Sequence, residues 1–143
     1  MTIEEIFWND IAEGDELPGQ SRHMTPTAIV STAIATRDFA KVHHDVEQAR
    51  KEGAKDIFLN ILSTGGLVGK YVTDWSGPTS KIRKLDISLG ATVFPGDTLV
   101  SQGKVTKKYQ EGDECLVNVE YALTVDAGPH AWGTVILSLP QKQ

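Results

Sequence analysis

A single cysteine, Cys115, in 143 residues excludes an internal disulfide, and with it the stapled architecture of small secreted domains. No Cys/His cluster has the spacing of a zinc site. No apolar run reaches the roughly 18–20 residues of a membrane-spanning helix. Positive charge is also scarce: 14 Lys and Arg stand against 19 Asp and Glu, for a net charge of −5. That balance disfavours a nucleic-acid binder, because phosphate neutralisation needs a basic face. The start, Met1-Thr2-Ile3-Glu4-Glu5-Ile6, is acidic and lacks a signal-peptide pattern, so a cytoplasmic protein is expected. Internal repeats and low-complexity segments are absent.

What remains is ordinary for one compact domain: 40 % hydrophobic and 23 % charged residues. Residues 1–19 read as an irregular arm, docked by Ile6, Phe7 and Trp8 and broken by Gly14-Asp15-Glu16 and Pro18-Gly19. Thr25-Pro26 reads as a helix start, with Thr25 as cap and Pro26 at the first helical position. That helix is expected to run to about Thr36. A second, short helix is expected over Asp45–Glu52, capped by Asp45 and stopped by Gly53. A third is expected from about Asn60 to Trp75, with Ile61, Gly65, Val68, Val72 and Trp75 on one face. Gly65, Gly66 and Gly69 each cost it roughly 1 kcal/mol against alanine. Close packing of this helix against a sheet or a ligand is the expected compensation.

Beyond Pro78 the period becomes that of strands. Ile82–Leu89, Leu99–Lys107, Glu114–Val125 and Trp132–Leu139 are the expected strands, with turns at Pro95-Gly96-Asp97, Gly112-Asp113 and Ala127-Gly128-Pro129. The class is therefore α+β, with one long helix buried against a strongly curved antiparallel sheet. An exposed face or edge of that sheet would favour dimerisation. Cys115 falls in a strand and reads as a buried structural thiol.

One segment carries chemistry. In Arg37-Asp38-Phe39-Ala40-Lys41-Val42-His43-His44-Asp45, Asp38 and His43 stand five residues apart between two helices. A carboxylate and an imidazole at this distance can converge on one water, one accepting its proton and the other orienting it or returning a proton. By spacing alone D-x(4)-H is a weak signal, equally compatible with a surface loop.

Three parts of the chain together resemble the MaoC-like (R)-specific 2-enoyl-CoA hydratases. They are Asp38-x(4)-His43 with Asp45 and its helix, Val93-Phe94-Pro95-Gly96-Asp97-Thr98-Leu99, and Gly133-Thr134-Val135-Ile136-Leu137-Ser138-Leu139-Pro140. The segments Ile29–Phe39, Lys55–Leu62 and Tyr71–Trp75 are similar to the small, dyad-bearing subunits of the steroid branch, which act on the cholesterol side chain. The general motif D-x-N-P-[LI]-H has Ala40-Lys41 here in place of Asn-Pro. The general His-Gly or Pro-Gly before the central helix is Leu59-Asn60. Both departures are shared with the steroid branch.

The resemblance implies a single hot-dog domain over residues 20–143, preceded by the arm at 1–19. It implies hydration of a bulky enoyl-CoA, of steroid side-chain type, by Asp38 and His43. It implies no cofactor beyond the coenzyme A carried by the acyl-CoA thioester, and a second MaoC-like hot-dog subunit in a heterodimer or heterotetramer. Backbone donors at Asn60 and Ile61, where the helix dipole favours negative charge, are the candidates for the enolate oxygen. Gly65 and Gly66 are candidates for making room for the acyl group, and Lys81 and Arg83 for meeting the CoA phosphates. The cluster Lys104, Lys107 and Lys108 is a rival for that last role. Arg37 is a candidate partner for Asp38 or Asp45. His44 is expected to be structural, as are His23 and His130, which have no partner motif. Two other readings stay open: an acyl-CoA thioesterase, and a non-catalytic hot-dog partner subunit.

Overall fold

The computed structural model describes residues 4–143. Three helices, α1 (Pro26–Ala35), α2 (Val46–Lys51) and α3 (Ile61–Ser76), precede most of the sheet. The strands are β1 (Glu16–His23), β2 (Lys81–Leu85), β3 (Ser88–Leu89), β4 (Thr98–Glu111), β5 (Glu114–Val125) and β6 (Gly128–Ser138). They form one six-stranded sheet in the order β1-β4-β5-β6-β2, with β3 also on β6, and every pairing is antiparallel.

The helix starts follow from their caps. Thr25 Oγ1 accepts from Ala28 N and Pro26 opens α1. Asp45 accepts from Gln48 N ahead of α2, and Asn60 from Ser63 N ahead of α3. α3 buries Val68, Tyr71 and Val72 in one cluster with Val105, Val117, Val119 and Leu137 of the sheet. Both edge strands, β1 and β2, reach α3. Flat, five strands at about 4.8 Å spacing would hold those edges some 19 Å apart, so the sheet must curl around the helix.

Four features differ from the sequence reading. The arm does dock, through Trp8 Nε1 donating to Leu116 O at 3.1 Å, but its last residues join β1. Pro18 and Gly19 sit where the β1–β4 register slips between Leu17 and Gln20, and an edge-strand bulge tolerates proline. The run from Ile82 to Leu89 is interrupted, giving β2 and β3. The buried face of α3 is rotated, leaving Ile61 and its neighbour Leu62 more than half exposed. Finally, β6 begins at Gly128, not Trp132, so His130 lies inside a strand. Cys115 is buried, as expected, and among the described residues no helix is long and apolar enough to cross a membrane.

Candidate active site

The end of α1 sets the first functional group. Arg37 N donates to Ile34 O at 2.9 Å and Asp38 N to Ala33 O at 3.0 Å, the two bonds of a Schellman closure. Arg37 takes the left-handed position such a closure needs, with φ 58°. Asp38 is thereby thrown off the helix end. A single 3₁₀ turn, Lys41–His43, then brings the imidazole back.

His43 is buried, with Nδ1 2.7 Å from Phe58 O. A carbonyl only accepts, so Nδ1 carries the proton. In the neutral ring Nε2 is then a bare lone pair, and it lies 3.4 Å from Asp38 Oδ2. The edge of the Phe58 ring, 4.9 Å away between centroids, flanks the imidazole. Asp38 is held from both sides: Oδ2 accepts from Asn60 Nδ2 at 2.9 Å and Oδ1 from Ala40 N at 3.2 Å. The Asn60 amide, with the Ala40 N–H, lowers the Asp38 pKa below its ordinary value. The same amide donates to Thr36 Oγ1 at 2.9 Å.

These groups open onto a cavity of about 300 Å³ lined by Asp38, His43, Phe58, Asn60, Ile61 and His130, with the segment Leu89–Thr92 as its far wall. Gly90 N and Ala91 N on that wall are spent on His130 O and Pro129 O, both at 2.8 Å. Ile61 N and Leu62 N, at the start of α3, make no hydrogen bond among the described residues. They are the open donors at the positive end of the helix. A larger depression of about 440 Å³ crosses β1, β4 and β5 at Glu16, Gly103 and Glu120. It contains no acid–base pair comparable to Asp38/His43, so the smaller cavity is the candidate site.

The structure thus gathers Asp38, His43, Asn60 and Ile61 but leaves the other candidates outside the lining. Gly65 packs under the Ile87 side chain, and a side chain at Gly66 would meet open space. Lys81 and Arg83 lie exposed on β2, with Arg83 paired to Glu114. Lys107 and Lys108 cover Tyr109 and Trp8. Arg37 makes no ion pair with Asp38 or Asp45. His44 is exposed. Among the described residues no three His, Cys, Asp or Glu side chains converge as metal ligands would.

Two residues do more than the sequence indicated. Asn60, expected to open the third helix and to offer a backbone donor, also caps that helix with its side chain and holds the Asp38 carboxylate. His130, expected as merely structural, forms part of the cavity.

Residues 11–127 match the MaoC-like domain family. Over 126 residues the chain is 43 % identical to the 3-oxo-4,17-pregnadiene-20-carboxyl-CoA hydratase beta subunit of Mycobacterium tuberculosis, covering 88 % of this chain and 95 % of that protein. It is similar to a chain of the ChsH1-ChsH2 complex from Mycobacterium tuberculosis, with a TM-score of 0.84 and 43 % identity over 90 % of this chain and 98 % of that one. The (R)-hydratase of A. caviae involved in PHA biosynthesis superposes with a TM-score of 0.80 at 17 % identity, covering 92 % of this chain and 98 % of that one. At that identity the likeness speaks for the fold alone, which is the hot-dog fold.

Proposed function

The chain belongs to the MaoC-like domain family, and from that premise we propose that it is the catalytic subunit of a hydratase adding water across the 2,3 double bond of a bulky, steroid side-chain enoyl-CoA. The observation that carries this reading is the pairing of Asp38 Oδ2 with His43 Nε2 at 3.4 Å at the cavity. An anionic carboxylate and a bare imidazole nitrogen are both acceptors. One water donating to each satisfies both and turns its lone pair toward the cavity.

The steps follow from this arrangement. The water oxygen bonds to C3 as its proton passes to the dyad, and the C2–C3 π pair moves toward the thioester carbonyl. Negative charge gathers on that oxygen, where the Ile61 and Leu62 N–H groups supply donors. A proton returned to C2 completes the 3-hydroxyacyl-CoA and leaves the dyad as it began. Nothing is oxidised or reduced.

A second hot-dog subunit belongs to the same reading. About 300 Å³ is at the small end of ligand pockets, too little for a fused-ring acyl group. Leu89 and Ile61, about half exposed, both line this cavity, an apolar rim that a partner would cover. The relative named as a beta subunit and the two-component complex of the similar structure support it.

The test is co-expression with a second hot-dog subunit, then loss of conjugated enoyl-thioester absorbance on a steroid side-chain enoyl-CoA and on crotonyl-CoA. Steroid turnover that vanishes in His43→Gln is expected. Turnover of crotonyl-CoA alone would discard the bulky substrate. A stable complex whose activity survives both Asp38→Asn and His43→Gln would make this chain the non-catalytic partner.

A further inference from the structure

His130 is a buried titratable side chain that the hydration steps do not use. It is 4 % exposed yet borders the cavity. Its placement comes from a bulge: Leu123 pairs with Ala131 and Thr124 with Pro129, so His130 is the extra residue between them. A bulge re-aims the side chain it carries.

Both ring nitrogens are engaged. Nδ1 lies 2.6 Å from Ala91 O, so it carries the proton and donates. Nε2 lies 2.9 Å from Thr64 Oγ1 and, in the neutral ring, accepts the hydroxyl proton. Thr64 is fully buried on the second turn of α3. Its hydroxyl also lies 3.3 Å from Asn60 O, but its one proton can serve only one acceptor. Burial favours the uncharged ring, lowering the His130 pKa. No nitrogen is left to touch a substrate. An apolar residue would close the cavity here without desolvating two polar atoms, so packing alone does not account for an imidazole.

Resting on the hydratase reading, we propose that His130 is a positioning residue: a neutral imidazole spacer that fixes the distance between the N-terminal donors of α3, held through Thr64, and the opposite cavity wall, held through Ala91. The thioester must fit between these two surfaces. A shift of a fraction of an ångström moves the N–H groups off the oxygen on which charge develops.

Two experiments separate this role from the reaction itself. Long-range ¹H–¹⁵N spectra of the full chain labelled at histidine read the tautomer without any substrate. His130 is expected as the Nδ1–H form from about pH 8 to about pH 6, where an exposed imidazole would titrate. An Nε2–H form, or titration like a free imidazole, overturns the arrangement.

In the assembled complex, Thr64→Val is expected to lower kcat about 10- to 100-fold with KM changed less than about threefold. Thr64→Ser should restore it. His130→Asn keeps a donor for Ala91 O but loses the Thr64 partner, so it should match Thr64→Val, and the double variant should be no worse than either. Equal loss in Thr64→Val and Thr64→Ser, multiplying losses in the double variant, or a change confined to KM would each overturn the role. A wild-type complex without turnover would remove the hydratase reading and this role with it, while the spectra still decide the hydrogen-bond arrangement.

Discussion

The two walls of the cavity each carry a buried histidine whose Nδ1–H is tied to a backbone carbonyl, Phe58 O for His43 and Ala91 O for His130. They differ at the other nitrogen. His43 Nε2 faces a carboxylate that two N–H donors hold in place, whereas His130 Nε2 is occupied by a threonine hydroxyl. The same residue in the same tautomer is therefore left with one reactive nitrogen on one wall and none on the other. On the proposed reading, what distinguishes a working imidazole from a supporting one is the partner of the second nitrogen, more than burial or proximity to the cavity.

The largest effect expected from breaking this contrast is at the working wall. Asp38→Asn or His43→Gln should cost about 10²- to 10⁴-fold in kcat, the usual share of a positioned acid or base, measured in the assembled complex. Losses there no larger than those of His130→Asn would erase the distinction between the two walls.

Next comes the supporting wall. A Cβ at Gly90 would stand 2.5 Å from Pro129 O and 2.9 Å from the Trp132 ring. Backbone cannot give way cheaply, so Gly90→Ala should push the Leu89–Thr92 wall and cost about 1–3 kcal/mol of stability. Urea unfolding would read the cost, and a raised KM the displaced wall. An unchanged midpoint would mean that this wall is not packed as tightly as its contacts indicate.

A subtler variant sharpens the comparison through pH. The Asn60 amide favours ionised Asp38, so the Asp38 pKa lies below its ordinary value. Asn60→Leu removes that donor and the cap, and the pKa should rise. At a given low pH less carboxylate is then ionised, so the acid limb of kcat/KM should move to higher pH. In stability the same depressed pKa gives a contribution present above the unfolded value and lost as pH falls through the folded one. Asn60→Leu should shrink it. An acid limb that stays in place would show that Asp38 does not govern it.

How far each wall was legible in the sequence follows from how local its contacts are. Asp38 and His43 are five residues apart, a weak signal by spacing that the family resemblance strengthened, and Thr25 and Asp45 announced themselves as caps. The second role of Asn60 was hidden because it depends on Asp38, 22 residues away. His130 was hidden twice over. Gly128-Pro129 reads as a turn, although the strand begins there, and the bulge breaks the alternation that would have assigned its face. The one available signal was proline beside the start of an otherwise regular strand, a common mark of a bulge. β1 was missed for the same reason, through Pro18-Gly19. The exposed Ile61 was expected on the buried face because periodicity identifies an apolar face without saying whether the same chain covers it.

The smallest effect concerns how rigidly the working wall is built. Arg37 occupies the left-handed position of the closure that ends α1, a place that favours glycine because a Cβ there costs about 1–2 kcal/mol. Arg37→Gly would remove that cost but free the unfolded chain, which opposes it by about 0.5–1 kcal/mol. The net expectation is a gain of up to about 1.5 kcal/mol in urea unfolding, with kcat within about twofold because the Asp38 N–H bond to Ala33 O is untouched. A stabilised but markedly slower variant would mean that the strain itself aims Asp38 at its water. A less stable one would mean that the Arg37 side chain holds the wall through a contact outside its backbone closure.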